Sequence, residues 1–143
     1  MARILKGSNL RAALAASVFA CLAGIAALHV PAFAQRPQTP VMVGGDADYD
    51  ACGSQGVVKG LKASGDGFLA VRAGPGSNNA MLDKVYNGYI LSLCDERGGW
   101  YGVVYSHESR DCGVSTPWPR RQPYSGPCRS GWVYKKYVGA YAG

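Results

Sequence analysis

Short runs of branched and aromatic residues, each cut off within a few positions by a glycine-bearing turn, limit this chain more than any other feature. From Val57 onward they leave no stretch long enough for a helix of three turns. In "GFLAVRAGPGSNNAM", residues 67–81, a strand pattern stops at Gly74-Pro75-Gly76. Before it, "VVKGL" and "FLAVRA" are separated by Ser64-Gly65-Asp66-Gly67, a turn composition. After it, "MLDKVY" and "YILSLC" are joined by Asn87-Gly88, the dipeptide best suited to positive φ in a tight hairpin. "WYGVVY" follows Gly98-Gly99, and "GWVYKKYV" comes near the end. The pattern predicts an all-β domain over residues 57–143, a small barrel of five to six short strands. Its expected core is Leu69, Val71, Leu82, Val85, Ile90, Leu93, Val103 and Val133, and closure of the barrel is expected to remove strand edges.

The 143 residues include a leader. Arg3, Lys6 and Arg11 precede an Ala/Leu/Val-rich run from Ala12 to Val30, and Ala32-Phe33-Ala34 places small residues where a signal peptidase reads them. Residues 1–34 therefore read as a signal peptide cleaved before Gln35. The competing reading, a retained membrane anchor, is disfavoured by Pro31 and the immediate cleavage motif, and lipidation at Cys21 by Phe19 before it. Removing the three basic leader residues lowers the formal net charge from +6 to +3. From Arg110 onward Asp111 is the only acid against Arg110, Arg120, Arg121, Arg129, Lys135 and Lys136, a basic bias suited to an anionic partner. The density is too low for nucleic acid. Residues 35–56, polar at first and without periodicity, read as a flexible N-terminal segment.

Four cysteines follow the leader: Cys52, Cys94, Cys112 and Cys128. An even count in a short exported chain predicts two disulfides, and three pairings are open. The favoured one joins Cys112 to Cys128 within a local loop and Cys52 to Cys94 between the N-terminal segment and the sheet. No pair has zinc-knuckle spacing, so no metal is expected. Residues 106–129 hold four prolines and two of these cysteines and break the strand rhythm. They read as an ordered insertion between the last strands.

The pieces "LAVRAGPGS", "KVYNGYILSLC", "GGWYGVVY" and "SGWVYKKYV", occurring in that order, resemble the successive signatures of bacterial SH3-like (SH3b) domains. The resemblance covers roughly Val57 to Val138. It implies a small β-barrel used as a binding or targeting module in cell-wall enzymes and envelope proteins, and it supplies no catalytic residues. The cysteines and the long segment before "GWV" depart from the family pattern.

The remaining motifs favour structural readings. Gly65-x-Gly67-x-x-Ala70 matches a dinucleotide fingerprint only formally, since a strand follows where a helix is required, and Gly74-Pro75-Gly76 lacks the residues that hold phosphates. Asp46, Asp48 and Asp50 begin like a calcium loop but continue with Ala51 and end on Val57 instead of glycine and glutamate, so they read as a solvated leader. His107, the one histidine after the leader, reads as a surface-loop residue, and Asp95 and Glu96 beside Arg97 as solvated charges on a turn. No enzyme and no cofactor are expected.

The aromatic residues carry the functional expectation. Trp100 and Trp132 read as core or near-core, whereas Tyr101, Tyr105, Trp118, Tyr124, Tyr134 and Tyr137 are expected to reach the surface. The binding candidates are Trp118, Arg120, Arg121, Tyr124, Tyr134 and Tyr137. The expected function is that of an exported, non-catalytic module, periplasmic or secreted, recognising a cell-envelope component, either peptidoglycan or a protein. The alternative is a small secreted inhibitor or effector acting through the disulfide-closed loop, whose rigidity would limit the entropy lost on binding.

Overall fold

The computed structural model describes residues 38–142, so the leader lies outside the described residues. The elements are β1 (Met42–Val43), β2 (Asp46–Asp50), β3 (Ser54–Val58), β4 (Leu69–Arg72), β5 (Met81–Val85), β6 (Ile90–Arg97) and β7 (Trp100–Tyr105). They continue with β8 (Pro117–Trp118), β9 (Gln122–Pro123), β10 (Arg129–Tyr134), a 3-10 turn (Lys135–Tyr137) and β11 (Val138–Ala142). The domain is all-β. Its main sheet has seven antiparallel strands in the order β11-β3-β6-β7-β10-β4-β5. The outer strands β11 and β5 are not paired with each other, so the sheet is open and keeps two edges, contrary to the expected closure.

β7 explains much of the architecture. The run Gly102 to Tyr105 is buried throughout, as expected of a strand covered on both faces. Val103 and Tyr105 face one core with Val58, Leu69, Val71, Val85, Leu91 and Val133. Val104 points the other way, into a second core with Val43, Ala51, Cys52 and Val114. Trp132 of β10 is fully buried and donates its indole N–H to the Thr39 carbonyl, 2.8 Å away. Gly102, its cross-strand partner, makes room: a Cβ there would lie 2.8 Å from Asp95 Cβ, 3.1 Å from Val41 and 3.3 Å from the Trp132 ring.

The second core overturns the reading of residues 35–56 as flexible as far as Val41 to Gly56 are concerned. Val41 and Val43 are buried, β1 pairs with β9, β2 pairs with β8, and the amides of Ala51 and Cys52 donate to Thr116 and Val114. The N-terminal segment and the insertion are thus two halves of one lobe covering the back of β7. Two-residue strands carry too few side chains for a detectable alternation, which is why the sequence pattern missed them. β2, "DADYD", is exposed along its whole length; it is a strand through pairing, although its aspartates are solvated as expected.

Both favoured disulfides are present, Cys52–Cys94 and Cys112–Cys128. They suit an oxidising, extracytoplasmic environment. Cys94 lies where the β6–β7 register shifts between Leu93 and Asp95. Most expected core residues are buried, but Leu82 is 45 % exposed and Leu91, not Ile90, is the fully buried residue at the start of β6. Among the described residues no helix is long and apolar enough to cross a membrane.

Candidate binding groove

Trp100 opens β7 directly opposite Tyr134, the last residue of β10, and their ring centroids lie 5.5 Å apart. The 3-10 turn that follows brings Tyr137 edge-on to Tyr134 at 6.2 Å. These three rings form one wall of a groove of about 1180 Å³. The loop between β3 and β4 lines the same groove with Leu61, Lys62 and Phe68. Asn87 fixes that loop: its side-chain amide donates to the Leu61 carbonyl (2.9 Å) and its side-chain oxygen accepts from the Leu61 amide (3.1 Å). The residue expected only to permit a hairpin turn therefore also positions a loop that lines the groove.

The volume exceeds the usual 300–1,000 Å³ of small-ligand sites, and the lining combines aromatic rings with cationic side chains. Lys62, Arg72 and Lys136 line it against Asp66. Arg72 is oriented by a 2.8 Å bond to the Asn79 carbonyl.

The six expected binding residues do not form one site. Tyr134 and Tyr137 line the groove. Trp118 and Tyr124 instead stack on each other at 6.1 Å and pack against the second core. The Trp118 indole donates to the Gly113 carbonyl (3.0 Å), and the Tyr124 hydroxyl donates to the Cys112 carbonyl (2.9 Å) while accepting from the Cys128 amide (3.1 Å). Their polar atoms are used within the lobe. Arg121 pairs with Asp95 at 2.9 Å, and Arg120 is exposed. Trp100, expected mainly as a core residue, belongs to the groove; its position opposite Tyr134 is a register property that only the fold reveals.

Several further charge readings change. The Asp95 side chain is only 5 % exposed and is paired with both Arg97 and Arg121, so it is not a solvated turn carboxylate. Four of the six basic residues from Arg110 onward have acidic partners: Arg110 with Glu108, Arg121 with Asp95, Arg129 with Asp83 and Lys135 with Glu96. Among the described residues Arg120 and Lys136 have no ion-pair partner.

Tyr105 departs from its surface reading, whereas His107 lies exposed in a surface loop as expected. Tyr105 is 3 % exposed, and its hydroxyl donates to Asp83 at 2.9 Å. His107 contacts the same carboxylate at 2.8 Å, as does Arg129. Burial by itself raises the Asp83 pKa, but hydrogen bonds from His107, the Lys84 amide, Tyr105 and Arg129 outweigh it and bring the carboxyl down to about 2. Burial, reinforced by the Asp83 hydrogen bond, raises the Tyr105 phenol.

Because the folded-state Asp83 titrates below the ordinary 3.8, its stabilisation is present above about pH 4 and is lost as pH falls through about 2. Asp83→Asn is expected to lower stability at neutral pH by about 2 kcal/mol, the scale of hydrogen bonds to a charged group. Urea unfolding at neutral pH and in this acid window should show a smaller acid-induced loss in the variant than in the parent. An equal loss in both would remove Asp83 from the acid response.

No family model matches the chain, and neither the curated proteins nor the solved structures give a match.

Proposed function

We propose that this protein is an exported, non-catalytic binding module, periplasmic or secreted, that recognises a cell-envelope component, either peptidoglycan or an envelope protein. The carrying observation is the groove in which Trp100, Tyr134 and Tyr137 stand in a row beside Lys62 and Lys136. Aromatic rings offer rigid contact area at little conformational cost, and the flanking ammonium groups suit carboxylates on the ligand. The resemblance of four ordered sequence pieces to bacterial SH3-like domains supports the same reading, as do the disulfides and the leader. The insertion serves as a structural cover for β7 in this reading, because Trp118 and Tyr124 pack inward against the second core.

The test is capture of the purified chain by isolated sacculi and by envelope-protein extract. Replacing Trp100 and Tyr134 together by alanine is expected to weaken binding by about 30-fold, equivalent to about 2 kcal/mol for an interface anchor. Arg120→Ala with Arg121→Ala should change it by less than about threefold. The reverse ranking would move contact to the lobe and favour the inhibitor reading. Capture by neither material would reject an envelope ligand.

A further inference from the structure

We propose that His107, Asp83 and Tyr89 form a proton-dependent clasp that fastens the lobe to the main sheet, closed when the imidazole is doubly protonated and loosened as it loses a proton. The chain leaves the sheet just after β7 at Ser106 and returns at Arg129, the first residue of β10. Both departure and return are held on one atom: Asp83 Oδ2 accepts from His107 Nε2 at 2.8 Å and from Arg129 Nη1 at 2.8 Å.

The state of the ring follows from counting protons. Tyr89 has one hydroxyl proton, and the Ser106 carbonyl 2.7 Å away can only accept it. The same hydroxyl oxygen lies 3.1 Å from His107 Nδ1 and has only lone pairs left to offer. On the other side Nε2 faces a carboxylate. Both nitrogens therefore meet acceptors, and only imidazolium carries two N–H groups. A neutral ring protonated at Nε2 sets the Nδ1 lone pair against the Tyr89 oxygen. The hydroxyl can then satisfy Nδ1 only by abandoning Ser106. A neutral ring protonated at Nδ1 instead sets a lone pair against Asp83. Either way one fastening is lost.

The surroundings keep the ring in place. Tyr89 and Tyr105 stand edge-on to it at 5.3 and 5.6 Å. The charged groups facing this region are Asp83 from β5, Arg129 from β10, and Glu108 and Arg110 from the lobe. Arg129 is bound to Asp83 and Arg110 to Glu108, so each cation is offset by a carboxylate. Ser106 Oγ accepts from the amides of Glu108 and Arg110, which couples the position of Ser106 to the first turn of the lobe. The Cys112–Cys128 bridge lies beyond this turn and keeps the lobe itself closed when the clasp loosens.

Ring nitrogen NMR and amide hydrogen exchange on the full chain test this. The clasp requires both His107 nitrogens to carry protons at about pH 5.5 and one of them to have lost its proton by about pH 8.5. Exchange at residues 107–112, corrected for the intrinsic pH dependence, is expected to rise about fivefold over the same interval, the scale of one lost hydrogen bond. His107→Gln should abolish that rise, and Tyr89→Phe should reduce it. A neutral ring at about pH 5.5 would overturn the clasp. So would an undiminished rise in His107→Gln. Should either variant fail to fold, the ring nitrogens of the parent decide the matter.

Discussion

Replacing Cys52 and Cys94 together by alanine is expected to destabilise the protein by about 4 kcal/mol on the chain-entropy estimate. The bridge spans 42 positions, whereas Cys112–Cys128 spans 16 and is expected to contribute about 3 kcal/mol. Location reinforces the difference. Cys52 sits in the second core with Val43 and Ala51, and its partner lies at the irregular point of β6. Without that bridge the N-terminal half of the lobe is held by two-residue ladders and a few backbone bonds. Denaturant unfolding of the two double variants under oxidising conditions should rank Cys52/Cys94 as the more damaging. The opposite ranking would show that the insertion, not the N-terminal segment, depends more on its crosslink.

Trp132→Ala should cost about 4 kcal/mol, in the range for truncating a buried tryptophan. The ring is fully buried, meets the bare backbone of Gly102 and has the Arg97 guanidinium 5.2 Å from its centroid. Alanine leaves a void bounded partly by backbone, and β-strand backbone collapses poorly into space. It also deprives the Thr39 carbonyl of its donor. Trp132→Phe should cost about half as much, since most of the apolar area is restored but the N–H is not. Thermal unfolding of the two variants checks both size and order. A loss below about 1 kcal/mol for alanine would mean that the segment around Val41 does not depend on this ring.

The strands of the main sheet were legible because turn chemistry is local. Asn87-Gly88 and Gly98-Gly99 announce their bends wherever the chain goes, with positive φ at Gly88 and Gly98. The disulfide pairing was legible for a similar reason: few cysteines and one short loop leave few solutions. The lobe was not. β1 and β9 exist only because residues some eighty positions apart meet over Val104, and no local window contains that information.

The binding face was half legible for a related reason. Tyr134 and Trp118 look equivalent as sequence, yet a carbonyl at Gly113 captures one indole inside the lobe while the β7–β10 register sets the other ring beside Trp100. Charge was misread in the same way. Arg121 meets Asp95 and Arg129 meets Asp83 across long sequence separations, so a basic stretch became mostly paired ions.

The bond from Trp132 to the Thr39 carbonyl joins residues 93 positions apart, and β3, the first strand of the main sheet, lies beside β11, the last. Contacts this distant make folding wait on chain length. A polypeptide emerging amino end first would leave one edge of β3 unpaired and the Thr39 carbonyl without its indole donor until "GWVYKKYV" and β11 had also emerged. Such a chain completes its structure late and nearly all at once.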